Sequence, residues 1–320
     1  MYPAGRGNGM RGIITITGHI GSGKSTVGRS LAASLGYQYV STGSIQRQLA
    51  TRRGLTSLGL NELSMHDRRV DDEIDSYLER LNTEGDRLVL DSRLAWHFVH
   101  DSFKVFVHVD PCVGARRVLA NPRAEEEHHG LADAVRNNLR RKALEDRRFA
   151  QLYGVRCDAP GNYHLVVDST WVPAERLAEV ILRCFSERDG GGAPARGYLC
   201  PKSLYPTAST ARVAAAETSN LRACMERSGF ASDAPVEAVQ FSQYYFILDG
   251  HRRVSCALGL GLDLVPCVIR SADEVSARGE GTAEEEVAGS LDRAWIGDWE
   301  AAHGFSFASY PDKSGSPRLD

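Results

Sequence analysis

Residues 13–35, IITITGHIGSGKSTVGRSLAASL, constrain this chain more than any other stretch. Ile13, Ile14, Thr15, Ile16 and Thr17 form a β-rich apolar run, suited to a strand buried on both faces. Gly18, His19, Ile20, Gly21, Ser22, Gly23, Lys24 and Ser25 follow, and they satisfy G-x-x-x-x-G-K-S/T at every fixed position. An amphipathic helix then opens with Val27, Leu31 and Leu35 on one face. Physics requires this order. Glycines let backbone N–H groups close round a polyphosphate, and the helix N-terminus adds partial positive charge. Gly18, Gly21, Ser22, Gly23, Lys24, Ser25 and Thr26 are therefore the candidate nucleotide-binding residues. Lys24 is expected to reach the outer phosphates and the Ser25 hydroxyl to ligate Mg²⁺.

A length of 320 residues suggests about two domains. The net charge of −3 offers no basic field for nucleic acid or an anionic membrane. No apolar stretch approaches the ~20 residues that span a bilayer, and the start, MYPAGRGNGMRG, has no hydrophobic segment. Residues 1–11 are expected to be a flexible lead-in. The seven cysteines are scattered without a C-x-x-C pair, as buried or incidental thiols in a reducing cytosol would be. A cytoplasmic protein is expected, with homo-oligomerisation left open. No metal-ligand spacing is present, and His128-His129 reads as a solvated pair.

Further strands are predicted at residues 37–40, 88–90, 103–109 and 165–167. Helices are predicted at 45–52 with Ser44 as N-cap, in a polar region through Leu81, and at 113–119, Leu131–Tyr153 and Ala174–Ser186. Strands alternating with helices imply an α/β fold: a mainly parallel sheet with helices on both faces. Such sheets bind ligands beyond the carboxyl ends of their strands. The polar groups at 41–44 and 91–93 lie at those ends.

Several ordered motifs carry a specific resemblance. They are the phosphate loop, S-T-G-S-I-x-R at 41–47, D-D-E-I-D at 71–75 and L-D-S-R-L at 90–94. The series continues with K-V-F-V-H-V-D at 104–110, R-F-A-Q-L-Y-G-V at 148–155 and V-V-D-S-T at 166–170. Across about residues 11–186 the chain resembles a cytidylate kinase, nearest the shorter archaeal-type group. The resemblance implies a P-loop NMP-kinase-like domain over 12–186 that uses ATP and Mg²⁺ to phosphorylate a nucleoside monophosphate. By the same resemblance, Arg47 and Arg93 hold the acceptor and its phosphate, and Ser44 and Asp91 border it. Arg141 and Arg148 close over the phosphates; from its chemistry, Asp91 is a candidate to help organise either Mg²⁺ or the acceptor. Transfer between two polyanions does need several fixed cations round a loose, in-line transition state. The chain also departs from the family pattern. Ser44 replaces a usual Asp or Ala, Ser92 replaces a usual Gly, and Glu125-Glu126-Glu127-His128-His129 puts negative charge near the lid. These departures leave room for an acceptor other than CMP.

Residues 187–196, ERDGGGAPAR, read as a flexible linker and a domain boundary. Beyond it, residues 244–261 run from a strand into a tight Asp249-Gly250 turn and then a helix headed by His251, Arg252 and Arg253. A helix N-terminus beside arginines makes an anion site. The D-G-H-R-R turn, with a returning strand at 262–269, resembles the ParB/sulfiredoxin-like fold across about residues 197–271. That implies a small α+β domain with His251, Arg252 and Arg253 on a nucleotide phosphate. Sulfiredoxin chemistry is disfavoured because no cysteine stands in the turn. A DNA-segregation role is disfavoured because no helix-turn-helix or basic stripe follows. Three readings remain for this half: a kinase of free serine with Asp249 as catalytic carboxylate and Glu217 as second acid, a non-catalytic nucleotide sensor, and a domain without ligand. The aromatic residues Trp295, Trp299, Phe305, Phe307 and Tyr310 are expected to pack onto this domain, which runs through 197–310. Residues 311–320 are expected to be disordered.

Overall fold

The computed structural model describes residues 12–56, 59–60, 63, 69–121, 129–187, 196–210, 215–230, 234–271, 282, 287 and 293–318. The first half comprises β1 (Ile13–Gly18), α1 (Lys24–Leu35), β2 (Gln38–Ser41), α2 (Thr42–Arg52), α3 (Arg69–Glu84), β3 (Leu88–Asp91) and α4 (Ala95–Phe98). It continues through β4 (Phe103–His108), α5 (Pro111–Ala120), α6 (Leu131–Tyr153), β5 (Leu165–Asp168) and α7 (Ala174–Ser186). The second half contains β6 (Arg196–Leu199), β7 (Leu204–Tyr205), α8 (Ala215–Ser228), β8 (Val236–Phe241) and β9 (Tyr244–Asp249). It ends with α9 (His251–Gly259), β10 (Val265–Arg270) and α10 (Arg293–His303).

Among the described residues, ten strands join one sheet in the order β2-β3-β1-β4-β5-β6-β10-β8-β9-β7. The first five are parallel, with Ile14 of β1 set between Val89 of β3 and Phe103 of β4. Alternate residues of β1 face opposite ways, so one strand feeds two cores. Ile14 and Ile16 join Val105, Val107 and Val167 under α1 and α7. Helix α7 has the apolar stripe such a position requires, burying Leu177, Val180, Ile181, Cys184 and Phe185. Each fully buried side chain of this size contributes about 1.5–3 kcal/mol. On the other face Ile13, Leu90, Phe106 and Val166 meet Leu78, Trp96 and Phe149.

The boundary expected at 187–196 does not interrupt the sheet. Residues 188–195 lie outside the described residues, but Arg196 onward adds directly to β5 in parallel, with Leu165 opposite Arg196 and Val167 opposite Tyr198. The core under Ile13 and Phe106 likewise runs unbroken into Val236, Tyr245 and Trp299. A glycine run reports local backbone freedom. Whether the next strand docks is decided by the unpaired edge of β5, which sequence spacing does not reveal. Side-chain contacts reinforce the join. Asp110, which caps α5 through Cys112 N and Val113 N at 2.8 and 3.1 Å, accepts from Ser309 Oγ at 2.6 Å. The Cys200 N–H donates to Asp168 at 3.2 Å, and the His108 and Tyr245 rings stand 4.8 Å apart.

The final segment also differs from expectation. Residues 311–318 form a turn in which Asp312 Oδ1 accepts from the Ser314 and Ser316 N–H groups at 2.8 and 2.9 Å, and Pro311 bridges Pro317. The aromatic residues before it pack inward, with Phe307 stacked on Tyr205 at 4.3 Å and Trp299 fully buried. Among the described residues, no helix is long and apolar enough to cross a membrane.

Candidate active site

The loop between β1 and α1 is shaped by close backbone approaches. Gly21 has φ 76°, and a Cβ there would sit 2.2 Å from the Gly114 carbonyl oxygen at the start of α5. At Gly18 a Cβ would come equally close, 2.2 Å, to the Val107 carbonyl. Only glycine allows the loop to lie against β4 and α5 this tightly. Gly23 caps α1, whose first residues are Lys24, Ser25 and Thr26. The helix therefore aims its free N–H groups at the loop's hollow.

Lys24 Nζ donates to the His19 carbonyl at 3.3 Å. Burial and then the neighbouring Arg93 charge bring its pKa down to about 7, against some support from Asp91. An incoming polyanion would stabilise the charged form. The Ser25 hydroxyl donates to Asp91 Oδ2 at 2.6 Å. Tyr39 Oη donates to the same oxygen at 2.8 Å, which the sequence reading missed. Burial and then Asp91 push the Tyr39 phenol upward. A hydroxyl and a carboxylate on adjacent strand and loop ends are hard oxygen donors, as Mg²⁺ prefers. Among the described residues no cluster of three or more His, Cys, Asp or Glu side chains is set to hold a metal.

Two clefts open from this loop. One, about 470 Å³, is walled by Ser22, Gly23 and Thr26 together with Arg117, Asn121 and Pro173. Arg117 bridges its sides, donating to Ser169 O at 2.6 Å, Thr170 O at 3.2 Å and Gly21 O at 3.4 Å. The second, about 60 Å³, lies over β2 and β3 and is walled by Thr42, Gly43, Gln46, Ser92, Arg93 and Arg141. Gly21, Lys24 and Ser25 line both.

The second cleft is organised by an ion triad. Glu145 Oε2 accepts from Arg93 Nε at 3.0 Å and Oε1 from Arg141 Nε at 3.0 Å. Burial works against this carboxylate, but Arg93 and Arg141 outweigh it and hold its pKa down to about 2. Arg93 also donates to the Gly18 carbonyl. The triad thus ties the β3 end, α6 and the phosphate loop together. Glu145 went unnoticed in the sequence, although it stands one helical turn after Arg141.

Other expected residues are placed differently. Arg148 lines neither cleft; it is buried against Asp71 of α3 at 3.6 Å and over the Phe149 ring. Seven residues separate it from Arg141 on α6, but the tertiary partner of that turn is α3. Ser44 is not the N-cap, since α2 starts at Thr42; its hydroxyl donates to the Ser41 carbonyl at 2.6 Å. Arg47 falls on α2, and its side chain lies outside the described residues, as do Glu217's and the acidic run at 125–128.

The strand order, loop and paired clefts meet a matching family. Residues 13–171 match the cytidylate kinase-like family. A cytidylate kinase from Haloarcula marismortui is 35% identical over 188 residues, 57% of this chain and 95% of that protein. The chain belongs to the cytidylate kinase-like family. A protein of Lacinutrix mariniflava named S-adenosylmethionine-dependent nucleotide dehydratase is 31% identical over 179 residues, of which this chain spans only 37% of the length. The solved structure of sulfiredoxin from Arabidopsis thaliana overlaps 31% of the chain and 99% of that protein, at 19% identity and a TM-score of 0.24. That overlap is too slight to place the second half in a family.

The D-G-H-R-R turn lies beyond the residues that match the family, and it is largely self-satisfied. Asp249 pairs with Arg253 at 2.5 Å, and Arg253 also donates to the Ala234 and Pro235 carbonyls at 2.6 and 2.5 Å. His251 Nε2 accepts from the Thr207 N–H at 3.1 Å. Arg252 is exposed at the head of α9. Glu237, opposite Asp249 in the sheet, pairs with Arg270 at 3.2 Å.

Proposed function

We propose that this protein is an ATP- and Mg²⁺-dependent phosphotransferase acting on a nucleoside monophosphate, CMP-like, or on a related small acceptor. One observation carries the reading: the two clefts share Gly21, Lys24 and Ser25 and otherwise diverge. A donor in the larger cleft and an acceptor in the smaller would meet at Lys24. That is the geometry an in-line transfer needs.

In this mechanism the loop N–H groups and the α1 N-terminus bind the donor phosphates. Lys24 and Arg141 neutralise charge spreading over the transferring group, and Arg93 with Arg141 orients the acceptor. Ser25 and Asp91 would hold Mg²⁺, which when bound neutralises the donor's phosphate oxygens. The Arg93–Glu145–Arg141 triad keeps both cations in place before substrate arrives, so little reorganisation is needed at the moment of transfer.

The second half would serve as an accessory nucleotide-binding element. Asp249 and Glu237 are each engaged by an arginine, which favours a binding role over a catalytic base for free serine. Calorimetry of the intact protein with CTP, ATP and ADP, comparing Arg252→Ala, reads that role.

The kinase test is ADP release and product formation from Mg-ATP with CMP, then other monophosphates and free amino acids. Lys24→Ala is expected to lower turnover at least about a thousandfold while leaving the fold intact. Unchanged turnover in that variant would sink the assignment.

A further inference from the structure

A third, narrow cavity lies behind the phosphate loop, and a residue from the second half closes it. Its polar walls include His19, Arg93, Asn138, Lys142, Asp158 and Gln243, with Phe106 and Phe149 among the apolar sides. Ile20 and Arg93 also line the smaller cleft, so the two spaces are neighbours across the ion triad.

Gln243 reaches this place through an uncommon backbone. It follows Ser242 in the two-residue turn between β8 and β9, and Ser242 has φ 53°, a left-handed conformation for a residue with a side chain. The turn is held from two sides. Gln240 Nε2 donates to the Ser242 carbonyl at 3.0 Å, and the 312–316 turn packs Gly315 so near that a Cβ there would lie 2.5 Å from Ser242 Cβ. Backbone kept in a sparsely populated region by its surroundings is concentrated at binding and catalytic sites.

The cavity also collects unsatisfied polarity. Both ring nitrogens of buried His19 and Nδ2 of Asn138 lack a hydrogen-bond partner, apart from a weak approach of the Val109 main chain to the imidazole. Buried polar groups are nearly always satisfied, so three in one cavity point to something that binds there. The charges around them are already matched. Arg93 pairs with Glu145 at 3.0 Å, and Lys142 with Asp146 at 2.5 Å and Asp158 at 2.7 Å. Burial, then His108, Lys142 and Arg93, keep His19 neutral. The Thr17 hydroxyl donates to the Ser92 carbonyl at 2.8 Å, so what the walls offer beyond it is one imidazole and two amides, which suits a neutral donor–acceptor group and not a phosphate or carboxylate. The volume, about 30 Å³, admits a group of two or three heavy atoms and excludes a ring.

We infer that this cavity is a specificity subsite for the acceptor, taking a hydroxyl or amide-type edge at the end remote from the reacting oxygen, with Gln243 as the second half's contribution to it. The inference rests on the kinase reading, and it gives the fusion of the two halves a purpose: the second half selects what the first phosphorylates.

The test is binding, measured by saturation-transfer NMR on the intact protein with a non-hydrolysable ATP analogue present. The probes are cytidine, uridine, adenosine, ribose and L-serine, each against wild type, Gln243→Ala and Gln243→Leu. At least one probe is expected to bind wild type and to weaken about tenfold or more in both variants, with affinity for the ATP analogue held within about twofold. Equal binding to all three proteins, or no probe bound by wild type, overturns the inference. Loss of the ATP analogue as well would also count against it, since Gln243 would then be supporting the fold. Failure of the kinase reading shows separately, as phosphoryl transfer that survives Lys24→Ala.

Discussion

Replacing Glu145 by Gln removes the charge that both Arg93 and Arg141 face while keeping the side chain's shape. The Glu145 side chain is only 7% exposed, so solvent screens the triad little. Its pKa falls from an ordinary 4.5 to about 2 in the folded protein. At about 1.4 kcal/mol for each tenfold change, that difference contributes about 3 kcal/mol at pH 7. A carboxyl with a depressed folded-state pKa stabilises fully above its unfolded value and loses that contribution as pH falls through the folded one. The gap between wild type and Glu145→Gln should therefore shrink from about 3 kcal/mol at pH 7 to roughly half that at pH 3. Urea unfolding of both proteins at the two pH values measures it. A gap below about 1 kcal/mol at pH 7, or one that does not narrow in acid, would refute the argument that two arginines hold this carboxylate charged. Acceptor KM should rise in the same variant, because Arg93 and Arg141 lose the anchor that separates them.

Two further outcomes are expected. Gly21→Ala forces a side chain into the left-handed region and against the Gly114 carbonyl, and should weaken binding of a non-hydrolysable ATP analogue at least about tenfold by calorimetry. Wild-type affinity would show that the loop does not need this approach. Ser309→Ala strips a hydrogen bond from buried Asp110 and one from Tyr244, and should cost about 1–3 kcal/mol in urea unfolding. A loss under about 0.5 kcal/mol would mean that the tail does not staple the second half to α5.

Residues 13–35 determined their own structure, because a buried β run, a glycine loop and an amphipathic helix each follow from local rules. Ser25 and Asp91 could each be singled out from the sequence, one in the phosphate-loop motif and one at the carboxyl end of β3, but the hydrogen bond that joins them is a tertiary contact. Helices α6 and α7 were readable to the residue, since their apolar periodicity and the glycine after Tyr153 mark faces and ends. Pairings between distant elements were not. Glu145, Arg148 and Lys142 occupy one helix, yet Glu145 joins Arg93 and Arg141, Arg148 meets α3, and Lys142 pairs with Asp146 and Asp158. Helical spacing says which residues share a face, but not what that face meets. The largest surprise has the same origin. A glycine-rich stretch promised two independent domains, while the free edge of β5 took up β6 and made one sheet of ten strands. Strand edges are satisfied by whatever part of the chain can reach them, so that choice belongs to the tertiary structure alone.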